Sequence, residues 1–296
     1  MGDIHLTNSW KNRSTQLIFP IFRYSNLSAR RGDENMNTIM YEQDEVYGII
    51  RLNRPEVLNA LNIAIVEDFI ELLAKLEDQV EPRVLIITGT ERAFSAGADL
   101  KSIYTMQQTG QLNPTEKLLN AVTTLFNKLE TYTKPVIAAI DGIAYGGGCE
   151  LALACDFRIA TTNARIGLSE VKLGVLPAGG GTQRLPRLIG LSRAKYMLLS
   201  GEPVEVNTLQ EWGLIHEVVS SEELIAKAKA FSAPFLNGAP LSHKAIKSLA
   251  VSSTNTDLNT GLEIERHWSN QLHGSNDAKE GIAAFNQKRK PVFQGQ

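Results

Sequence analysis

The sequence predicts the α/β fold class, with a parallel sheet followed by a helical C-terminal region. Between residues 46 and 162, short β-branched runs alternate with segments of helical periodicity, which is typical of parallel βαβ units. From about residue 191 onward, apolar residues recur almost only at helical spacing. The chain has 296 residues, of which 43% are hydrophobic and 21% charged, so it can form one large core.

The first half provides the strands of the predicted sheet. The run "RVLIITGT" is short, β-branched and closed by glycine, as expected of a buried strand, whereas "NIAIVEDFIELLAKLED" repeats apolar residues every three or four positions, as expected of an amphipathic helix. The same criteria place strands at 46–53, 83–90, 134–142 and 157–162. They place helices at 62–78, at about 115–130 and at 149–156.

The second half is predicted to be helical. The periodicity extends over six segments, at 192–201, 206–213, 221–233, 240–252, 257–273 and 277–291. We therefore divide the chain into an α/β core at 39–195 and a helical region at 196–296.

Residues 1–38 form an extension of different composition. Five Lys or Arg residues stand against a single acid, Asp3, before "GDEN". A mitochondrial transit peptide is basic and acid-poor in this way, but a disordered tail and an over-long start, with Met36 or Met40 as the true beginning, fit as well. The expected location is the cytoplasm of a bacterium, or the mitochondrial matrix if the extension is a transit peptide.

Charge, hydropathy and cysteine usage exclude several classes of function. The net charge is −2 without a long block of one sign, so no nucleic-acid partner is expected. No apolar run reaches the roughly 18 residues of a membrane helix. Cys149 and Cys155, six residues apart on one predicted helix, lie on opposite sides and are read as small core residues. The five histidines lack metal-binding spacing, so no metal site is expected.

The stretch "AYGGGCELALACD" (144–156) places a glutamate at the head of an apolar helix. A buried carboxylate there is costly unless Glu150 has a partner or a task. The glycines before it, Gly146–Gly148, let the backbone approach a ligand, and the first amides of the helix have no internal partner. The glycines alone are also compatible with a tight turn, and they do not fit the dinucleotide pattern G-x-G-x-x-G.

A second loop, "TERAFSAGADLKSI" (90–103), also joins a strand to a helix through small residues. Two such loops at the carboxyl edge of a sheet can each supply one N–H group, and together they form an oxyanion hole. Glu170 follows in "GLSEVKLGVLPAGGGTQRL" (167–185). Alone it reads as a helix-capping residue, but beside Glu150 and an oxyanion hole it completes an acid–base pair.

These stretches resemble one family specifically. "AFSAGADLK", "KPVIAAIDGIAYGGGCELALACDFRIA" and "ARIGLSEVKLGVLPAGGGTQRLPRLIG" are similar, in order and spacing, to the motifs of the crotonase superfamily of enoyl-CoA hydratases and isomerases. The resemblance runs from about residue 40 to the end. It implies a spiral of repeated ββα units with a helical C-terminal region for trimerisation, and trimers that commonly pair into hexamers.

The resemblance also implies the chemistry. The backbone N–H groups of Ala98 and Gly147 would hold a thioester carbonyl, and Glu150 and Glu170 correspond to the two glutamates of hydratases. The implied reaction adds water to a trans-2-enoyl-CoA to give a 3-hydroxyacyl-CoA, in fatty-acid or branched-chain amino-acid breakdown. Glu150 would accept the proton of the water, and Glu170 would supply a proton to Cα. This function answers the question that Glu150 raises.

Coenzyme A is part of the substrate, so no separate cofactor or metal is implied. Arg54 and Lys101 are candidates for the CoA phosphates, although such residues are often only solvated. Phe285 and Lys288 would approach the adenine of a neighbouring subunit. Further residues expected around the acyl-CoA are Ala60, Leu61, Ala96, Asp99, Leu100, Gly146, Pro177 and Gly179. The acyl pocket is expected to take its walls from about 100–125.

Other polar residues near the site are expected to support it. Asp156 and Arg158 are read as structural, and Gln183 and Arg184 are expected to fix the loop that carries Glu170.

Three alternatives stay open at this level. One is a 3-methylglutaconyl-CoA hydratase, a branch that can bind RNA, although the acidic helix at 62–78 disfavours RNA. Another is a Δ3-Δ2 enoyl-CoA isomerase that uses Glu170 alone. The third is a non-catalytic acyl-CoA-binding scaffold, against which the intact pair of glutamates argues.

Overall fold

The computed structural model describes residues 34–90, 92–109 and 114–296. Nearly all of the basic extension predicted at 1–38 therefore lies outside the described residues. The strands are β1 Glu34–Asn35, β2 Ile39–Asp44, β3 Tyr47–Leu52, β4 Val84–Thr88, β5 Ala93–Ser95, β6 Val136–Ile140, β7 Ile143–Tyr145, β8 Phe157–Thr161, β9 Arg165–Gly167, β10 Val204–Glu205 and β11 Glu217–Val219. The helices are α1 Ile63–Glu77, α2 Leu100–Gln108, α3 Pro114–Glu130, α4 Gly147–Ala154, α5 Gly181–Ile189, α6 Leu191–Ser200, α7 Val206–Glu211, α8 Leu224–Ser232, α9 Pro240–Ser252, α10 Leu258–His273 and α11 Asn276–Asn286.

The larger sheet contains the strands that the sequence predicts. Its seven strands follow the order β1-β2-β3-β4-β6-β8-β11. All pairs from β3 to β11 are parallel, whereas β1, β2 and β3 pair antiparallel. β4 and β6 are buried along their whole length, which explains their continuous apolar runs.

A second sheet of short strands corrects the simple βαβ prediction. It has the order β10-β9-β7-β5, and β5, β7 and β9 pair in parallel. Each turn of the chain gives one strand to each sheet before a helix follows, as in β4–β5, β6–β7 and β8–β9. This is the repeated ββα spiral that the family resemblance implies.

Helix α1 covers one side of the larger sheet. Asn62 caps its first turn by accepting a hydrogen bond from the Ile65 N–H at 3.1 Å. Its buried face repeats at helical spacing, as the sequence predicts, and consists of Ile65, Val66, Phe69, Leu72, Leu73 and Leu76.

Helix α4 lies inside the core. Every residue of α4 after Gly147 is buried, and Cys149 is among them. The thiols of Cys149 and Cys155 are both buried and form no disulfide. The prediction that both cysteines are small core residues is confirmed. Since α4 is enclosed on all sides, its first residues are held rigidly at the edge of the sheets.

The C-terminal part is helical, as predicted. Helix α6 and the helices after it carry the chain from Leu191 to Asn286, with only the short strands β10 and β11 between them. Helix α10 has no buried residue. Within the described ranges, no helix combines the length and apolarity that a membrane crossing requires.

Candidate active site

The site is built where β7 turns into α4. Gly146 adopts φ 51° and ψ −124°, a conformation that favours glycine. Gly148 packs so closely on β5 that a Cβ there would lie 2.3 Å from the Ser95 carbonyl oxygen. The first glycine loop, Gly146–Gly148, therefore lets α4 start directly against the neighbouring strand.

The N–H groups of Ala98 and Gly147 face the same space. A parallel bridge uses the Leu61 N–H to the Gly97 carbonyl and the Asp99 N–H to the Leu61 carbonyl, so the N–H of Ala98 between them points the other way. A Cβ built on Gly147 would lie 3.6 Å from the Ala98 nitrogen. Within the described ranges, neither N–H donates to another backbone group. The pair can therefore receive one oxyanion.

A buried network shapes the loop around Ala98, and sequence reasoning missed it. Asn59 is fully buried, has φ 56° and donates to the Ala93 carbonyl. Ser95 donates to the Asn59 carbonyl at 2.8 Å and accepts from the Gly97 N–H at 3.2 Å. The signal that could have found it is an asparagine between apolar residues, because asparagine tolerates the left-handed region.

Glu150 points from α4 into the site and is only 4% exposed. Its Oε1 accepts a hydrogen bond from the Gly181 N–H at 2.8 Å. Burial raises the pKa of Glu150 to about 7; the Gly181 amide opposes this shift, and the negative charge of Glu170 adds to it. The carboxyl therefore changes its protonation state near neutral pH, as a general base or acid should.

The loop that holds Glu150 is the second glycine loop, Gly179–Gly181. Gly180 has φ 105°, and Gly181 is the first residue of α5, so its N–H is free to bind an anion. Arg184 Nη1 donates to the Gly179 carbonyl at 2.9 Å. The sequence expectation that Arg184 fixes the loop of Glu170 is corrected, because Arg184 contacts the loop that binds Glu150. The side chain of Gln183 donates to its neighbour Thr182, and its backbone N–H donates to the Gly180 carbonyl.

Glu170 begins a short 3-10 helix, Glu170–Leu173, and is half-buried. The residue before it, Ser169, occupies the N-cap position and makes no side-chain capping hydrogen bond. Oε2 of Glu170 is buried without a hydrogen-bond partner, and Oε1 lies 3.1 Å from the position of a Cβ on Gly146. Burial raises the pKa of Glu170 above its ordinary value. An unpaired carboxylate oxygen beside the oxyanion hole is suited to bind water or transfer a proton.

These groups share one cleft of about 1140 Å³. From the predicted set, the cleft is lined by Leu61, Ala96, Ala98, Leu100, Gly146, Gly147, Glu150 and Glu170. Its other wall comes from α2 and α3, within the predicted stretch 100–125, and includes Ile103, Tyr104, Gln107, Leu118, Leu119 and Val122. Sequence reasoning missed the opposite rim, Leu173, Val175 and Leu176, because its apolar residues show no regular spacing.

The other predicted acyl-CoA residues lie outside this lining: Arg54, Ala60, Asp99, Lys101, Pro177, Gly179, Phe285 and Lys288. Arg54 pairs with Asp99 at 2.9 Å and donates to the Ala60 carbonyl, so these three brace the loop before α2. Asp156 and Arg158 are structural, as expected. Asp156 accepts from the Val136 N–H, and buried Arg158 donates to backbone carbonyls of Cys155 and Leu214.

Comparison with known proteins agrees with this geometry. Residues 42–296 match the family model described as Enoyl-CoA hydratase/isomerase. Over 260 residues the chain is 38% identical to 2,3-dehydroadipyl-CoA hydratase of Escherichia coli (strain K12), covering 88% of this chain and 100% of that protein. It is 37% identical to crotonyl-CoA hydratase of Syntrophomonas wolfei over 257 residues, covering 86% of this chain and 97% of the relative.

A solved structure agrees as well. The crystal structure of an enoyl-CoA hydratase from Bacillus anthracis superposes with a TM-score of 0.81 at 36% identity, covering 88% of this chain and all of that one. With the paired glutamates and the two free amides in place, the chain belongs to the enoyl-CoA hydratase/isomerase family of the crotonase superfamily.

Proposed function

We propose that this protein is an enoyl-CoA hydratase, a hydro-lyase that adds water to a trans-2-enoyl-CoA. The observation that carries the proposal is the position of two carboxylates, Glu150 and Glu170, in one cleft with two unbound backbone N–H groups. A hydratase needs both parts, because it must stabilise an enolate and also move two protons.

The proposed reaction begins with the thioester carbonyl between the N–H groups of Ala98 and Gly147. Water attacks Cβ, one of its protons passes to Glu150, and the π electrons of the double bond move onto the carbonyl oxygen. The two N–H groups stabilise this oxyanion. The enolate then takes a proton at Cα from Glu170, which starts the cycle protonated, and the product carries a hydroxyl on Cβ and an intact thioester. The proton on Glu150 passes back to Glu170 through solvent before the next turnover.

Coenzyme A enters only as part of the substrate, and no separate cofactor takes part in the proposed reaction. The acyl group lies against the apolar wall from α2 and α3, whose residues include Ile103, Leu119 and Val122. Relatives named for crotonyl-CoA and for 2,3-dehydroadipyl-CoA differ in the acyl group, so chain length and branching are to be measured.

We also propose that the active form is a homotrimer or a dimer of trimers. Apolar side chains on α10 and α11 are open to solvent in a single chain: Leu258, Ile282 and Phe285 are 76%, 62% and 84% exposed. A neighbouring copy would cover such a surface. Phe285 and Lys288 lie outside the cleft of their own chain, which supports a role at the CoA of a neighbour. The compartment stays as predicted, the bacterial cytoplasm or the mitochondrial matrix.

The first test measures loss of the enoyl thioester absorbance with crotonyl-CoA and with longer enoyl-CoAs. Wild-type protein should hydrate at least one of them, and Glu150→Gln and Glu170→Gln should each lower kcat by on the order of 10²–10⁴. Both variants keep the size of the side chain and remove its charge.

Two outcomes would redirect the proposal. Migration of a double bond that survives in Glu150→Gln would indicate an isomerase that depends on Glu170 alone. Tight binding of CoA thioesters without turnover of any would indicate a non-catalytic scaffold.

A further inference from the structure

Arg184 is the charged residue that lies beneath the second glycine loop. Its side chain is 12% exposed and bridges two elements. Nη1 donates to the Gly179 carbonyl at 2.9 Å, whereas Nη2 donates to Glu130 Oε2 at 3.0 Å and to Asn127 Oδ1 at 2.8 Å, both on α3. Arg184 thus ties the loop to a helix that also lines the cleft.

Arg184 and Glu150 both bind the backbone of the second glycine loop. A Cβ on Gly180 would lie 2.1 Å from Arg184 Nη1, and a Cβ on Gly179 would lie 2.6 Å from Glu150 Oε2. A side chain at either glycine would therefore meet one of the two charged groups. Without side chains, three such residues have many accessible conformations, so an external contact must select one.

We propose that Arg184 is a positioning residue, which holds the second glycine loop in the conformation that directs the Gly181 N–H at Glu150. The inference rests on the proposed role of Glu150 in hydration and adds a residue to it. A planar guanidinium suits this task, because one edge holds the loop carbonyl while another nitrogen is anchored to Glu130 and Asn127. Lysine would provide the charge without this fixed geometry.

The charge of Arg184 also reaches Glu150. Burial is the main cause of the raised pKa of Glu150, and the charge of Glu170 raises this pKa further. The N–H groups of Gly181 and Gly179 and the charge of Arg184 lower it. Of the neighbouring elements, α5 contributes Arg184, the 3-10 helix contributes Glu170 and α3 contributes Glu130, which partly neutralises Arg184. Strand β5, Ala93–Ser95, has no titratable side chain. Loss of Arg184 should therefore raise the pKa of Glu150.

The experiment compares Arg184→Gln, Arg184→Lys and a matched control, Arg187→Gln. Arg187 lies three residues further along α5, is exposed and donates to Gln183 and Asn255 away from the loop. In Arg184→Gln we expect kcat to fall about 10- to 100-fold, with KM changed less than about threefold. The acid limb of the kcat/KM profile should move to higher pH. Arg184→Lys should keep the wild-type acid limb and still lose kcat, and the control should match wild type.

A second readout needs no activity. The melting temperatures of wild type and Glu150→Gln are measured from pH 5 to pH 9. The same pair is then measured in the Arg184→Gln background. The difference between the two melting temperatures begins to grow at the ordinary pKa of the glutamate, 4.5, and levels off at the pKa of Glu150 in the folded state. The pH at which the difference levels off should rise in the Arg184→Gln background. The proposal is overturned if that pH stays the same and if kcat falls only in proportion to the folded fraction. If wild type hydrates no enoyl-CoA, the proposed function is wrong, but this melting comparison still tests the role of Arg184.

Discussion

The first glycine loop, Gly146–Gly148, and the second, Gly179–Gly181, both precede or begin a helix and both contain three glycines. In the first loop, the Gly147 N–H donates to no backbone group of the described chain and faces the cleft. In the second, the Gly181 N–H is bound to Glu150 at 2.8 Å. In the proposed reaction, the same local design therefore serves the substrate in one case and a catalytic side chain in the other. The role of each loop depends on what its N–H group faces, which is an open cleft for Gly147 and the buried carboxylate of Glu150 for Gly181.

The largest effect is expected from filling the first loop. Gly147→Val would place side-chain atoms beside the Ala98 nitrogen, which lies 3.6 Å from the Cβ position, while the nearest side-chain contact, Leu61 Cδ1, is at 3.4 Å. The oxyanion would lose its place, so kcat/KM should fall on the order of 10²–10³. Circular dichroism should still report a folded protein. Full activity in this variant would show that the oxyanion binds elsewhere, and the two loops would then not differ in the way described above.

A smaller loss is expected from filling the second loop. A Cβ in Gly179→Ala would lie 2.6 Å from Glu150 Oε2 and displace that carboxylate. Misplacement of a catalytic group by about 1 Å can cost up to about 10²-fold, so we expect kcat/KM to fall roughly 10- to 100-fold.

The control for this variant is Gly213→Ala, at φ 83° with no atom within 4 Å of the added Cβ. It should cost about 1–2 kcal/mol of stability through backbone strain and leave kcat/KM unchanged. Equal activity losses in the two variants would show that a general loss of stability, and not the displaced carboxylate, is responsible.

The pH profile tests whether the second loop holds a base. The pKa of Glu150 is raised to about 7, chiefly by burial, so the carboxylate form disappears as the pH falls through 7. If Glu150 accepts the proton of water, kcat/KM should drop about tenfold per pH unit below that point, and a fall at higher pH would report loss of the proton that Glu170 donates. A profile without the limb below pH 7 would instead make Glu150 the proton donor and reverse the two roles.

The smallest effect is on stability. Since the folded state raises the pKa of Glu150 from 4.5 to about 7, folding loses stability as the pH rises across this window, by at most about 3 kcal/mol above pH 7. Glutamine cannot ionise, so Glu150→Gln should melt several degrees higher than wild type at pH 8. The difference should disappear near pH 4.5.

Glu265→Gln is the matched control for stability, because Glu265 is an exposed glutamate of α10. It should leave the melting temperature unchanged at both pH values. A lower melting temperature for Glu150→Gln at pH 8 would show that the second loop more than compensates the burial of this charge.

Long elements could be predicted from the sequence because their patterns are strong. α1 shows one apolar face, and β4 and β6 are buried runs bounded by turn residues. The second sheet could not be predicted, because β5, β7 and β9 have three residues each. Three residues cannot display alternation, and their strand conformation depends on pairing with each other.

The site was predictable to a similar degree. Motifs pointed to Glu150, Glu170 and the two glycine loops, since glycines before a helix have a clear physical meaning. The actual partner of Arg184 was not predictable, because its contact with Gly179 depends on how α5 packs on α3. Arg184 is nearer in sequence to Glu170 than to Glu150, yet in the folded protein it contacts the loop that binds Glu150.

The complete burial of α4 after Gly147 has a consequence for the lifetime of the catalyst. Many binding and catalytic groups lie on loops that open locally while the rest of a protein stays folded. Glu150 is attached instead to a buried helix that packs on β5, β7, α3 and α5 and cannot open without disrupting those contacts. Heat inactivation should therefore proceed at the rate of global unfolding, so the durability of the chemistry is set by the kinetic barrier of the whole core.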